Sequence, residues 1–262
     1  FTGFGTAPII FLQHVEQIRI VTRDKLGDTL VVQHSVEVNS PQHSRALLTH
    51  YAQSRDTDDT HVTDRMQHRL VIHTTRAGLS NRHVHVPEHE EWLVCHECAT
   101  SSDTEHVTAK LPIGGVAHCL SDHTKSRAGN SLRTCSIFSS PIDAGRLFCF
   151  LPLPISMSLP MFINGYFHLS SARTALPRHH GEAHDAHVTW NELLRDGPIF
   201  NCYWHVMTTL RNVSPAAYWS VFPQSANDSK DFWNPLVTRV YQQLASEPSL
   251  FVMGESVGMS RE

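Results

Sequence analysis

Three groups of residues in this chain have types and spacings suited to chemistry. Gly254-Glu255-Ser256-Val257-Gly258 has the GxSxG spacing of a nucleophile elbow, preceded by the apolar run Leu250–Met253. Such an elbow projects a serine from a strained strand-to-helix turn, and it needs an acid and then a histidine later in the chain. Only Met259 to Glu262 follow. The elbow is incomplete, so Ser256 is expected in a C-terminal loop, with a serine hydrolase as a remote alternative. Cys95-x-x-Cys98, with His118 and Cys119 further on, offers four soft ligands for zinc. The CxxC pair falls in a strand-like run rather than on a tight knuckle, and adjacent His118 and Cys119 can both ligate only where the backbone turns. Strand thiols are the expectation. His179, His180, His184 and His187 cluster with Glu182 and Asp185. A helix would put His180 and His184 on one face, but the zincin order has Glu directly after the first His, and here Gly181 stands there. A solvated loop is expected, so no metal is assigned; His180, His184, His187, Cys95 and Cys98 are the candidates. No P-loop or dinucleotide fingerprint occurs, and Gly3-Phe4-Gly5 is too short to cradle phosphates.

The elements that must position these groups read as mixed strand and helix, then helix. Ala7–Val15 is expected to be a short helix, and Gln17–Thr22, Thr29–Asn39, Arg69–Thr75 and Glu91–Ala99 are expected strands. Arg45–Gln53 reads as a helix capped by Ser44. Ser54–Thr63 and Ser121–Ser131 read as loops, and Gly114-Gly115 as a turn. Gly145–Leu169 carries the strongest hairpin signal, two apolar runs flanking a Pro- and Ser-bearing connection, with Pro152, Pro154 and Pro160 at strand ends or edges. From about Val188 the period changes. Thr189–Glu192 fits a capping box, and Asp231–Ala245 is amphipathic, with Phe232, Leu236, Val240 and Leu244 at helical spacing. The order predicts an α+β fold, with a mixed sheet-and-helix region over 1–187 and a helical segment over 188–262.

The chain has 262 residues, 40% of them hydrophobic, enough for a sizeable core. Lys+Arg 21 against Asp+Glu 25 leaves −4 with neutral histidines, a balance that argues against a nucleic-acid binder, which carries a basic stripe. The apolar runs are too short to cross a bilayer. Six cysteines are too sparse for a disulfide scaffold, which favours a reducing, cytoplasmic setting over the Asn-x-Ser sequons at Asn212 and Asn227. Phe1 is followed by no signal peptide, so the chain is expected to be an excerpt of a longer protein.

The stretch Gly145–Ser171, with Gly145-Arg146-Leu147-Phe148-Cys149-Phe150-Leu151-Pro152-Leu153-Pro154 at its start and Asn164-Gly165-Tyr166-Phe167 near its end, resembles the sacsin family. The run Gly145-Arg146-Leu147-Phe148-Cys149-Phe150-Leu151-Pro152-Leu153-Pro154 is similar to that family's G-R-hydrophobic-F-C-F-L-P-L-P strand. Leu159-Pro160 and Asn164-Gly165-Tyr166-Phe167-His168-Leu169-Ser170-Ser171 resemble the turn and strand that follow. Further echoes are Phe11–Ile18, Leu111–Leu120, Trp190-Asn191 before Leu193-Leu194, and Tyr218-Trp219 before Phe222-Pro223.

The resemblance implies a chaperone or co-chaperone whose repeats begin with an ATP-binding lobe like that of the ninety-kilodalton heat-shock chaperones. That lobe's acidic nucleotide helix and glycine-rich lid are absent from these residues, so the chain would correspond to the following middle region. In the heat-shock chaperones a turn in that region carries an arginine that reaches the γ-phosphate of ATP held by the lobe. Leu169-Ser170-Ser171-Ala172-Arg173 stands at the equivalent place, which makes Arg173 the best functional candidate. A guanidinium fork matches phosphate oxygens and stabilises charge on a transferring group. The family's Asn-Arg-Arg after Ser-Ser is here Ala172-Arg173-Thr174, and Leu176-Pro177 replaces its following aromatic. The implied segment has no cofactor of its own, with ATP and Mg²⁺ held elsewhere, and its partners are protein clients or partner chaperones, without nucleic acid or membrane insertion. The alternative is an interaction scaffold with decayed nucleotide chemistry. By itself the segment is not expected to be an enzyme.

Overall fold

The computed structural model describes residues 7–12, 15–23, 30–38, 65–76, 86–99, 112–120, 145–178, 185–224 and 231–247. One sheet of eight strands organises the described residues. Its strands are β1 (Gln17–Arg23), β2 (Leu30–Val38), β3 (Met66–Arg76), β4 (Val86–Cys98), β5 (Ile113–Cys119), β6 (Leu147–Cys149), β7 (Leu151–Pro152) and β8 (Phe162–Gly165). Their order is β1-β2-β3-β4-β5-β8-β6-β7, antiparallel throughout except between β6 and β8. The helices are α1 (Ala7–Ile10), α2 (Ala186–Leu194), α3 (Phe200–Val213), α4 (Pro215–Ser220) and α5 (Asn234–Ser246), with a π-helical stretch, Arg195–Ile199, joining α2 to α3. The α+β expectation holds at this level.

Strand alternation sends residues to opposite faces of the sheet. Leu93, Cys95 and Val116 face the helices, in a core with Trp190, Leu194, Cys202, Tyr203, Val206 and Leu236. Trp92, Val94 and Ala117 face the other way, packing with Val36, Leu70 and Ile72 under Ile9, Ile10 and Phe11. The Phe11 ring lies 5.0 Å from that of Phe148. With both faces covered, the centre of β5 is buried without interruption, which is why its sequence reads as an apolar run rather than as alternation.

Four local expectations change. Gly114-Gly115 is not a turn: both glycines are buried inside β5. A Cβ on Gly114 would stand 2.7 Å from Cγ1 of Ile199, so the missing side chain lets the π-helical stretch rest on the strand. The hairpin is replaced by a parallel pair, Leu147↔Ile163 and Phe148↔Asn164, while β7 folds back on β6. Pro152 and Pro154 remove donors from the run after β6, so the chain leaves the ladder there and returns alongside at β8. The capping box is displaced upstream, because Asp185 caps α2 by accepting from the His187 N–H at 2.8 Å, and Thr189 lies inside the helix. The first helix is one turn, Ala7–Ile10, rather than a segment reaching Val15. The helix over Arg45–Gln53 and the loops at Ser54–Thr63 and Ser121–Ser131 lie outside the described residues.

Candidate functional site

The chain leaves β8 at Gly165, runs through Tyr166–Leu169 and turns at Ser170–Ala175. Ser170 organises the turn. Its C=O accepts from the Arg173 N–H at 2.8 Å, its N–H donates to the Ala175 C=O at 2.9 Å, and its Oγ accepts from the N–H groups of Thr174 and Ala175 at 3.3 and 3.2 Å. Arg173 adopts φ 56°, the left-handed region that costs a non-glycine residue about 1–3 kcal/mol. Its side chain is exposed, as are those of Ser171, Ala172 and Thr174 on either side. The turn therefore holds a guanidinium in solvent on a backbone constrained by its neighbours' hydrogen bonds. Such a group is suited to meeting phosphate or carboxylate oxygens.

Helix α2 fastens the segment leading into this turn. Trp190, fully buried, donates its indole N–H to the Tyr166 C=O at 2.8 Å. Asn191, also fully buried, accepts from the His168 N–H at 2.8 Å and donates to the His168 C=O at 2.9 Å. The imidazole of His187 stacks on that of His168, centroids 4.1 Å apart and planes 26° apart. Just before the chain leaves β8, buried Asn164 accepts from the N–H of Phe150, which itself has φ 60°. The sequence marked Trp190 and Asn191 only as echoes of a family pattern; what they hold became visible through their partners.

The metal candidates among the described residues are not brought together. Cys95 and Cys98 are three apart on β4 and so face opposite sides of the sheet; Cys95 lies in the helix-side core, whereas Cys98 packs near Ile113 on the other side. His118 and Cys119 pair with Leu93 and Trp92, and adjacent strand residues also point apart. His187 is exposed on the first turn of α2, its Nδ1 3.9 Å from Asp185 Oδ1. His180, His184 and Ser256 lie outside the described residues. Among the described residues, no three His, Cys, Asp or Glu side chains are grouped to hold a metal ion.

A polar cluster that the sequence did not single out sits where α3 crosses β4. Glu97, 2% exposed, accepts from Arg65 Nε at 2.5 Å and from the Asn201 amide. Burial works against the Arg65 charge, but its hydrogen bond and attraction to Glu97 outweigh that and hold the guanidinium protonated. Beside it, Cys202 contacts the Gly114 C=O, and burial together with its hydrogen bond to Cys95 pushes its thiol well above the usual range. A thiol held protonated is neither a nucleophile nor a ready metal ligand. The one advance sign of this cluster was a glutamate inside the apolar run Trp92–Cys98.

The sacsin of Homo sapiens is 25% identical to this chain over 227 residues, covering 79% of the chain and 4% of sacsin. The resemblance carried by Gly145–Ser171 thus extends over most of these residues, while the chain spans only a small part of that protein's length. No protein-family model matches the chain, and no solved structure matches it significantly. No helix among the described residues is long and apolar enough to cross a membrane.

Proposed function

We propose that this chain is the middle segment of a sacsin-like chaperone or co-chaperone, coupling an ATP-binding lobe outside these residues to protein clients or partner chaperones. The observation that carries the reading is Arg173, exposed on a hydrogen-bonded turn at the end of the family-like stretch Gly145–Ser171. An arginine on a fixed turn at the rim of one lobe can enter the nucleotide site of another, where its fork would stabilise negative charge on the transferring phosphoryl group. The likeness to the middle domain of the ninety-kilodalton heat-shock chaperones belongs to the same proposal, supported by a sheet followed by packed helices. In this reading the segment turns over no ATP by itself and holds no cofactor, ATP and Mg²⁺ being bound by the other lobe. It works in the cytoplasm, on protein partners rather than nucleic acid or membrane. The test fuses the chain to such a lobe. Arg173→Ala should lower ATP turnover by about tenfold or more; an unchanged rate overturns the role of Arg173.

An unchanged rate would favour the second reading, a non-catalytic interaction scaffold. That reading draws on the aromatic surface of α4, where Trp219 is 38% exposed and its ring stacks on Phe222 with centroids 5.0 Å apart. Such surfaces are common in protein interfaces.

A further inference from the structure

Three side chains of α2 reach the segment that carries Arg173, and they are spaced i, i+3 and i+4 along one helical face: His187, Trp190 and Asn191. Asn191 makes the pair of hydrogen bonds that a neighbouring β-strand would make. Its amide accepts from and donates to the same residue, His168, at 2.8 and 2.9 Å. Trp190 adds a third bond two residues back in the chain, to the Tyr166 C=O. The path to Arg173 is short, because Ser170, which closes the turn, lies two residues beyond His168. In the other direction α2 runs into the π-helical stretch, where Arg195 binds the Asp196 carboxylate through two nitrogens and the Phe232 C=O through a third, and Arg239 of α5 donates to the Asp196 C=O. Turn, helix and helical layer form one chain of directed bonds.

We infer that Asn191 is the positioning residue for Arg173, and that α2 is the element through which the helical layer sets where the guanidinium stands. The inference rests on the reading of Arg173 given above and adds how that residue is placed and regulated. A partner docked on the helical layer would act on the arginine through Asn191, and the engaged arginine would act back on that layer. The chemistry requires a carboxamide. Alanine removes both bonds. Aspartate retains the acceptor for the His168 N–H but sets a carboxylate against the His168 C=O.

The test has two arms. In hydrogen–deuterium exchange on the chain itself, Asn191→Ala should speed exchange over residues 166–175 by about tenfold or more, leaving β4 and β5 at their original rates. In the fusion with the ATP-binding lobe, Asn191→Ala and Asn191→Asp should lower kcat per folded molecule, with the folded fraction taken from the unchanged exchange of β4 and β5, so that loss of folded protein is not counted as the effect. If Asn191→Ala does not fold, Asn191→Asp, which keeps the side-chain volume and the acceptor for the His168 N–H, carries both readouts. Unchanged exchange over residues 166–175 overturns the clamp. Faster exchange with unchanged kcat, where Arg173→Ala does lower kcat, overturns the positioning role alone. If Arg173→Ala leaves kcat unchanged, the reading of Arg173 falls and the positioning role with it, while the exchange arm still reports whether α2 holds the turn.

Discussion

Glu97 brings a carboxylate into the interface between sheet and helix, and its partners show how the fold accommodates it. Arg65 supplies the opposite charge and Asn201 a neutral donor, so both oxygens are hydrogen-bonded and the buried charge is compensated. His205, near this cluster on α3, has its pKa lowered, first by burial and then by the Arg65 charge, with Glu97 partly opposing. The folded state therefore favours the neutral imidazole. Its contribution is present in full above the unfolded value near 6.5 and is lost as pH falls through the lower folded value. Urea unfolding midpoints should fall as the pH is lowered from about 7.5 to about 5.5, and His205→Gln should flatten that slope; an identical slope in the variant would remove His205 from the account. Tyr203 is the uncharged counterpart. Burial pushes its phenol well above the usual range, and its O–H is spent on the Val221 C=O at 2.7 Å. Neither environment was legible beforehand, because a side chain's pKa depends on neighbours from distant parts of the chain.

At the scale of elements, β1 to β4 were legible because their residue patterns carry strand periodicity. The misread elements share a cause. Gly114-Gly115 has turn composition but strand geometry, and packing explains why side chains are excluded there: Pro198 and Ile199 press on Gly114, and the His96 ring on Gly115. Gly114→Ala should cost about 1–3 kcal/mol, the range for overpacking a filled core, read from urea unfolding; a cost below about 0.5 kcal/mol would mean that the π-helical stretch does not press on β5. Gly145 is more constrained, since a Cβ would collide with the C=O groups of Leu159 and Met161. That contact closes the base of the parallel β6–β8 pair, where Gly145 donates to the Leu159 C=O at 2.8 Å and Ile163 donates to the Arg146 C=O at 2.9 Å. Two apolar runs with a short connection normally make a hairpin. Here prolines forbid continuing the ladder, and the strand that returns is parallel.

For the molecule as a whole, the histidine content has a direct consequence. With 20 histidines and a net charge of −4 when they are neutral, the isoelectric point falls near 6.6. Isoelectric focusing should show the charge reversing sign between about pH 7 and about pH 6; a chain still anionic at pH 6 would contradict the count. Among the described residues the histidines do not converge on a metal, and His168 stacks with His187 at the base of the Arg173 turn. By itself the sequence determined the element types over most of the described residues, the α+β order, the family likeness and Arg173 as the residue to examine. Those features live in periodicity and in contiguous motifs, which need no third dimension. The tertiary structure decided that the CxxC thiols face opposite sides of a sheet, that a glutamate could be buried, that Gly114 is a contact rather than a turn, and that Asn191 and Trp190 hold the segment bearing Arg173. Each of these depends on groups far apart in the chain meeting at hydrogen-bonding or van der Waals distance, and spacing along one strand cannot encode what will stand opposite it.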